Sequence, residues 1–362
     1  MAEYTEKKAT QWVATITVFL FFLLYSIRFF TTIDLYIING ATIIIGLFAF
    51  AIAIFQTRTK RILWALLLVD TIMALAVLYN QNVSLLNWLL EISMQGIAIL
   101  MCAMPKTYKV PSAFFLMTVV YLLIYSGLGN SPADVLNHAS ENHISTILLS
   151  YFCLYCINSW FGVIKSSKIF VLWLACFLLV LWSNSRMGLL SFLFMFYLLV
   201  VFFVKPRKIS SGVIYFFYAI ITIILIFICV KLFQEEVQKS LLSEGRIPLW
   251  ESYLRETLKQ PLGWILGTRF LNTSIFIALG YNLHNAFLHM HLIYGITPIL
   301  VIGIQLLKFF RKKIILLNIC AIVLLVRSLT DSIFTGDIAT LPLYFFMTVS
   351  YMWCERGQMN ES

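Results

Sequence analysis

Three residues of this chain combine charge and proton chemistry in a way that a polar reaction needs: Arg186, Arg246 and His284. Arg186 lies in Ser183-Asn184-Ser185-Arg186-Met187-Gly188, at the start of an apolar run. Arg246 lies in Gly245-Arg246-Ile247-Pro248-Leu249-Trp250, and His284 stands between Asn282 and Asn285. Two fixed cations suit a pyrophosphate, because arginine grips phosphate oxygens bidentately and neutralises the charge that develops on a departing group. A helix N-terminus disfavours a protonated imidazole, so a histidine placed there is neutral near pH 7, the form a general base requires. No Asp-x-Asp cluster lies on the same side, so the set fits metal-free transfer from a pyrophosphate-linked donor. Each residue taken singly also has a plain reading. Arg186, for example, suits a headgroup contact or a structural pair as well as the anion-binding end of a helix.

The elements that must hold these residues are membrane helices. The 362 residues are 61% hydrophobic and only 12% charged, whereas a soluble domain is about a quarter charged. At about 20 apolar residues per span, twelve segments are expected, near 11–30, 35–55, 62–80, 84–104, 111–128, 143–163, 168–183, 186–204, 212–233, 284–306, 313–330 and 338–354. The alternating pattern of a β-barrel is absent, so the expected fold is an all-helical integral membrane protein, residues 1–362 forming one polytopic unit. Its long extracytoplasmic loop covers 234–283, and the polar stretch runs from Gln234 to Asn282.

The formal net charge of +10 follows the topology. Basic residues favour short cytoplasmic loops, and 17 of the 26 Lys and Arg fall in alternate loops counted from a cytoplasmic N-terminus. Both termini are then cytoplasmic, the long stretch is extracytoplasmic, and no nucleic-acid partner is implied. The first apolar segment lacks a small-x-small cleavage site and is read as an uncleaved anchor. Seven cysteines, Cys153-x-x-Cys156 among them, fall in helices or at cytoplasmic ends and are read as core packing. No phosphate-binding glycine loop occurs, so no nucleotide cofactor is expected.

Within the long loop, Pro248 suits a first helical turn and Pro261 a stop, which predicts a helix over 248–259. Leu249, Trp250, Tyr253, Leu254 and Leu258 then share one face, opposite Glu251, Arg255 and Lys259, with Glu251 and Arg255 spaced to pair. Such a helix either lies on the membrane surface or caps the mouth of the bundle. His289 and His291 read as buried hydrogen-bonding residues. Asp70 and Glu91, ionisable at membrane depth, leave a functional and a structural reading equally open. Arg327 and Asp331, one turn apart, are expected to pair, and Asp331 has a second possible role in orienting His284.

The motifs form an ordered set. Ser185-Arg186-Met187-Gly188-Leu189-Leu190 opens a helix, and Gly245-Arg246-Ile247-Pro248-Leu249-Trp250 is followed by Gln260-Pro261-Leu262-Gly263 and Gly267. Asn282-Leu283-His284-Asn285-Ala286-Phe287 is then followed by Tyr294-Gly295-Ile296. Over residues 170–300 this order resembles the O-antigen polymerase and O-antigen ligase superfamily, while the amino-terminal half matches only in hydropathy. The resemblance implies a polytopic glycosyltransferase of the GT-C type, in a bacterial cytoplasmic membrane, that uses an undecaprenyl-pyrophosphate-linked oligosaccharide. It further implies that Arg186 and Arg246 hold the pyrophosphate and that His284 activates the acceptor hydroxyl, with Asn285 in a supporting place. A chain-length regulator and a flippase are the implied protein partners, beside membrane lipids. Thr268-Arg269-Phe270 departs from the small residues usual after Gly267 and offers Arg269 as a third phosphate contact. The expected activity is polymerisation of capsule, O-antigen or exopolysaccharide repeat units. Ligase-type transfer of finished glycan is the nearest alternative, and a lipid-oligosaccharide flippase using Asp70 and Glu91 is the alternative from another class.

Overall fold

In the computed structural model the described residues are 2–56, 60–80, 85–137, 139–160, 168–203, 246–269, 285–311, 314–329 and 340–346, with 227, 230, 231, 234, 283 and 348 singly. Every regular element among them is helical, as expected for apolar runs that satisfy their backbone groups internally. Among the described residues the α-helices before position 204 are α1 Ala2–Phe30, α2 Leu35–Gln56, α3 Lys60–Asn80, α4 Leu85–Ala103, α5 Lys109–Gly127, α6 Asn142–Trp160, α7 Ile169–Trp182 and α8 Arg186–Leu198. A π-helical turn, Leu199–Phe203, extends α8. Then come α9 Arg246–Lys259, a single turn Gly263–Leu266, α10 Ala286–Tyr294, α11 Ile296–Phe310 and α12 Ile315–Ser328.

Four stretches among the described residues are long and apolar enough to cross a membrane: Ala9–Phe30, Leu35–Phe55, Leu85–Ala103 and Lys106–Gly127. Ile169–Trp182, Ile296–Phe310 and Ile315–Ser328 are apolar but shorter. At 14 residues, α7 is about 21 Å long against a ~30 Å hydrocarbon core. The segment expected near 212–233 lies almost wholly outside the described residues, as does most of 338–354. Around an apolar core, burial departs from that of a water-soluble protein at both ends. Tyr36, Ile37, Ile44 and Val171 are each more than two-thirds exposed, while Asp70, Glu91, Gln95 and Asn158 are buried. This is the pattern of helices that turn apolar side chains to lipid and polar ones inward.

Small residues set the helix spacing. Gly46 of α2 lies against Ser93 of α4, and a Cβ on Gly96 would stand 2.6 Å from the Gly46 carbonyl and 2.9 Å from Phe50 Cβ. Ser93 Oγ donates to the Leu89 carbonyl at 2.8 Å and approaches the Ile43 carbonyl at 3.3 Å. Close approach through glycine and serine is the usual source of contact between helices in lipid, where burying apolar surface gains nothing.

The apolar run expected as one span over 284–306 is broken. Helix α10 ends at Tyr294, Gly295 takes φ +74°, and α11 restarts at Ile296 with Pro298 in its first turn. Only glycine adopts that backbone without strain, and a proline three residues later needs no intrahelical partner for its nitrogen. The Ile265 carbonyl rests directly on Gly295, where a Cβ has no room.

Substituting Gly96→Leu should lower the midpoint of thermal unfolding in detergent by several degrees, since overpacking costs about 1–3 kcal/mol. Gly40→Leu on α2, where nothing lies within 4 Å of the added Cβ, should stay within about 0.5 kcal/mol of the parent, as surface changes do.

Candidate functional site

Arg186 is the first residue of α8, and its position comes from a capped turn. Helix α7 closes on Ser183, Asn184 takes φ +54°, a conformation asparagine tolerates, and Ser185 becomes the N-cap. Ser185 Oγ accepts from the Gly188 amide at 3.3 Å and lies 2.9 Å from Ser145 Oγ. The Ser145 hydroxyl already donates to the Asn142 carbonyl at 2.8 Å, so the Ser185 hydroxyl is the donor between the two. Gly188 packs directly on Ser145, and the glycine of the Ser-Arg-x-Gly element is therefore what lets α8 approach α6. The half-buried Arg186 backbone is left at the positive end of α8.

The first turn of α6 also meets the last turn of α12. Arg327, buried, donates from Nη2 to Thr146 Oγ1 at 3.3 Å. Its expected partner Asp331 lies outside the described residues. Two residues beyond Arg327, the Leu329 carbonyl accepts from Asn285 Nδ2 at 2.9 Å. Asn285 is the N-cap of α10: its Oδ1 accepts from the amides of Phe287 and Leu288, each at 3.0 Å. It thus has a structural duty, terminating α10 and tying it to α12. Through Ser185–Ser145, Thr146–Arg327 and Leu329–Asn285, the start of α8 is joined to the start of α10.

His284 lies outside the described residues, but both its chain neighbours are placed. Leu283 is buried, and its carbonyl accepts from Trp250 Nε1 at 2.7 Å. Trp250 belongs to α9, whose first residue is Arg246. Of Arg246 only the backbone is described. Helix α9 starts two residues before the expected 248, with Pro248 still inside the first turn. Its inner side is Leu249, Tyr253 and Thr257, all essentially fully buried, and Leu249 and Tyr253 form an apolar cluster with Leu283 and Leu292. Leu258, 69% exposed, and Leu254, 38% exposed, leave the expected apolar face and turn outward. The reason is that the helix docks along its Leu249–Tyr253–Thr257 line, Leu249 and Tyr253 on α10 and Thr257 on the turn that follows, and does not lie flat on one broad face. Its ion pair is Lys259 Nζ to Glu256 Oε1 at 2.6 Å, in place of the expected Glu251–Arg255 pair.

Tyr253 and His291 supply a contact that sequence reasoning gave only as a general buried hydrogen bond. The Tyr253 hydroxyl bonds His291 Nδ1, and His291 Nε2 lies 3.0 Å from the Trp264 carbonyl. A carbonyl only accepts, so the imidazole proton is on Nε2 and Tyr253 donates to Nδ1. Burial pushes the Tyr253 phenol up to about 12, against the opposing pull of Thr268 and Thr257, so it remains a donor across neutral pH. His291 thereby clamps α9 and the Gly263–Leu266 turn onto α10. His289 is half-buried.

Arg269 follows this turn. Its amide donates to Gln260 Oε1 at 2.9 Å, its Nε donates to the Tyr79 carbonyl at 2.8 Å, and its guanidinium lies over the Tyr79 ring at 4.7 Å. It is exposed, with its four Nη hydrogens outside that bond. Next to Tyr79, Asn80 Nδ2 reaches the carbonyls of Leu266 at 3.2 Å, Leu292 at 3.1 Å and Ile293 at 2.6 Å. Two of those are the orphan carbonyls left where α10 stops. Asn80 was not singled out in the sequence, though an asparagine closing an apolar run was its signal.

The described residues thus join the chain neighbours of His284 to both arginine-bearing helices, α8 and α9. They place Arg269 apart, on α3. Comparison with protein-family models, curated proteins and solved structures found no match.

Replacing Asn285 by Ala removes the α10 cap and the bond to Leu329. Hydrogen exchange at the Phe287 and Leu288 amides should speed up markedly, with a stability loss of about 1–2 kcal/mol. Unchanged exchange at both amides would contradict the cap.

Proposed function

We propose that this protein is a polysaccharide polymerase that joins undecaprenyl-pyrophosphate-linked oligosaccharide units on the outer face of a bacterial cytoplasmic membrane. In this reading both termini are cytoplasmic, the chain crosses the membrane about twelve times by its apolar segments, and the architecture is of the GT-C type. His284 takes the proton of the acceptor sugar hydroxyl as that oxygen attacks the donor anomeric carbon. The bond from that carbon to the pyrophosphate oxygen breaks, and the undecaprenyl pyrophosphate leaves onto Arg186 and Arg246. Asn285 supports the arrangement by fixing the start of α10. Asp331 is a candidate to orient His284.

The observation that carries this proposal is the double tether of the residues around His284. Leu283 is held by Trp250 at 2.7 Å, four residues from Arg246, and Asn285 is held by Leu329 at 2.9 Å, in the network that also fixes Ser185 beside Arg186. Three sequence elements far apart along the chain are thus held in one connected region. Holding two reactants at attack distance is itself a large part of a transferase's acceleration, and arginines supply the charge.

The test is reconstitution of the full-length protein in liposomes with defined lipid-linked repeat units and no other acceptor. The native protein should produce a ladder of lengthening glycan. His284→Ala should abolish it, and Arg186→Ala or Arg246→Ala should slow it about 100-fold. A normal ladder from His284→Ala refutes the assigned mechanism. Product that appears only when a separate lipid or wall acceptor is added identifies a ligase.

A further inference from the structure

Arg269 is held firmly in a place that the proposed reaction does not use. Its Nε donates to the Tyr79 carbonyl at 2.8 Å, and the guanidinium carbon lies 4.7 Å from the centre of the Tyr79 ring. Its amide donates to Gln260 Oε1 at 2.9 Å, and Gln260 Nε2 donates in return to the Arg269 carbonyl at 3.3 Å. Gripped at the backbone, at Nε and on one ring face, the exposed side chain still presents two Nη groups with four hydrogens in one plane. Among the described residues no carboxylate pairs with it, and the nearby Glu256 is taken by Lys259.

The depth of this cation follows from α3. Tyr79 and Asn80 end that helix, and Leu75 and Leu78 just before them are more than half exposed. In a membrane bundle such side chains face lipid, so Tyr79 stands where α3 leaves the hydrocarbon, the usual level of an interfacial tyrosine. The Gly263–Leu266 turn shares that level, because Asn80 Nδ2 holds the Leu266 carbonyl at 3.2 Å. Leu262, Trp264 and Ile265 are 43% to 53% exposed there, and Leu258 in the last turn of α9 is more exposed still. In water this apolar edge is a liability, whereas a headgroup layer covers it and suits its tryptophan. Over residues 254–269 the charged side chains are Arg255, Lys259 and Arg269 against Glu256, so the charge that complements the edge is negative.

We propose that Arg269 binds the phosphate of an anionic phospholipid whose acyl chains lie along Leu75 and Leu78 of α3, beside Trp264 and Ile265. The two Nη groups offer parallel N–H···O bonds to two phosphate oxygens. The Tyr79 ring and carbonyl fix the plane of the guanidinium beforehand, which lowers the ordering cost of binding. The site uses none of Arg186, Arg246 or His284 and is independent of the polymerase reading.

The experiment uses the full-length protein, stripped of lipid in a neutral detergent and titrated with radiolabelled phosphatidylglycerol or with diacylglycerol of the same acyl chains. Saturable binding of phosphatidylglycerol is expected, about tenfold or more tighter than that of diacylglycerol. Arg269→Gln should weaken phosphatidylglycerol about tenfold and leave diacylglycerol unchanged. Lys259→Gln, which removes an ammonium already paired with Glu256, should change phosphatidylglycerol binding by less than about twofold. Equal binding of the two lipids by the native protein overturns the proposal, as does undiminished phosphatidylglycerol binding by Arg269→Gln. Competition with undecaprenyl pyrophosphate separates the two sources of a lipid phosphate. At equal concentration it should leave most of the phosphatidylglycerol bound, and full displacement overturns the proposal by assigning Arg269 to the lipid-linked donor. Because the comparison of the two lipids needs no variant, a substitution that fails to fold does not protect the idea.

Discussion

The polar segment is fastened to the membrane helices by backbone laid directly on backbone. The Ile265 carbonyl rests on Gly295, and a Cβ at Gly267, which has φ +85°, would lie 2.6 Å from the carbonyls of both His291 and Leu292. Such an approach is open only to glycine. It requires α10 to stop, because an uninterrupted helix presents side chains and has no bare turn to offer. Once the helix stops, its last carbonyls need donors, and Asn80 supplies one group to Leu292 and Ile293 while also holding Leu266. His291 completes the fastening by engaging Trp264 on the turn and Tyr253 on α9. Loss of either glycine would free the turn, unseat α9 and remove the hold on Leu283.

That dependence explains why an apolar bundle tolerates so many buried polar groups. Within lipid an unmet donor or acceptor costs several kcal/mol, which favours matching them. Ser185 of the α8 cap and Ser145 of α6 answer one another, as do Thr146 of α6 and Arg327 of α12, and Asn158 of α6 answers the Tyr108 carbonyl just before α5 at 2.9 Å. These contacts are directional. They fix helix rotation and depth in a way that Leu and Ile contacts, nearly equivalent to contacts with lipid, do not.

The reading from sequence succeeded where one residue's type determined the outcome. Long apolar runs became helices, and Pro248 with Pro261 bracketed α9 to within two residues. The cysteines of α6 are buried and free. It failed where the outcome was set by a partner distant in the chain. Gly295 and Pro298 were visible inside one apolar run, yet only the Ile265 carbonyl pressing on Gly295 turns a glycine tolerated in a membrane helix into a break. Leu254 and Leu258 belong to the same periodic stripe as Leu249. Which of them is covered depends on the docking line chosen by Leu283 and Leu292. Asn285 looked like an accessory to His284 by adjacency, and its Oδ1 is spent on capping. The pairing of Gln95 with Asp70 and of Tyr344 with Glu91 was invisible because it runs between helices.

These structural duties change what the resemblance to the polymerase and ligase superfamily can support. Gly188, Gly263, Gly267, Gly295, Trp250 and Asn285 are all motif positions, and each has a packing or capping reason to be what it is: a Cβ on Gly263 would stand 2.6 Å from the Thr257 carbonyl, and the others are tied as described. Any chain that seats an outer helix and turn on a broken membrane helix faces the same constraints, whatever it does chemically. Six motif positions therefore argue for a shared way of holding a polar segment on a bundle. Glycosyl transfer, as proposed, then rests on Arg186, Arg246 and His284, whose residue types are not dictated by the packing of those six. Their force lies in chemistry and in their chain neighbours: two permanent cations and one titratable base, the neighbours of the base tied to the helices that carry the two cations. A charge-free role for that region would need only the glycines, the tryptophan and the asparagine.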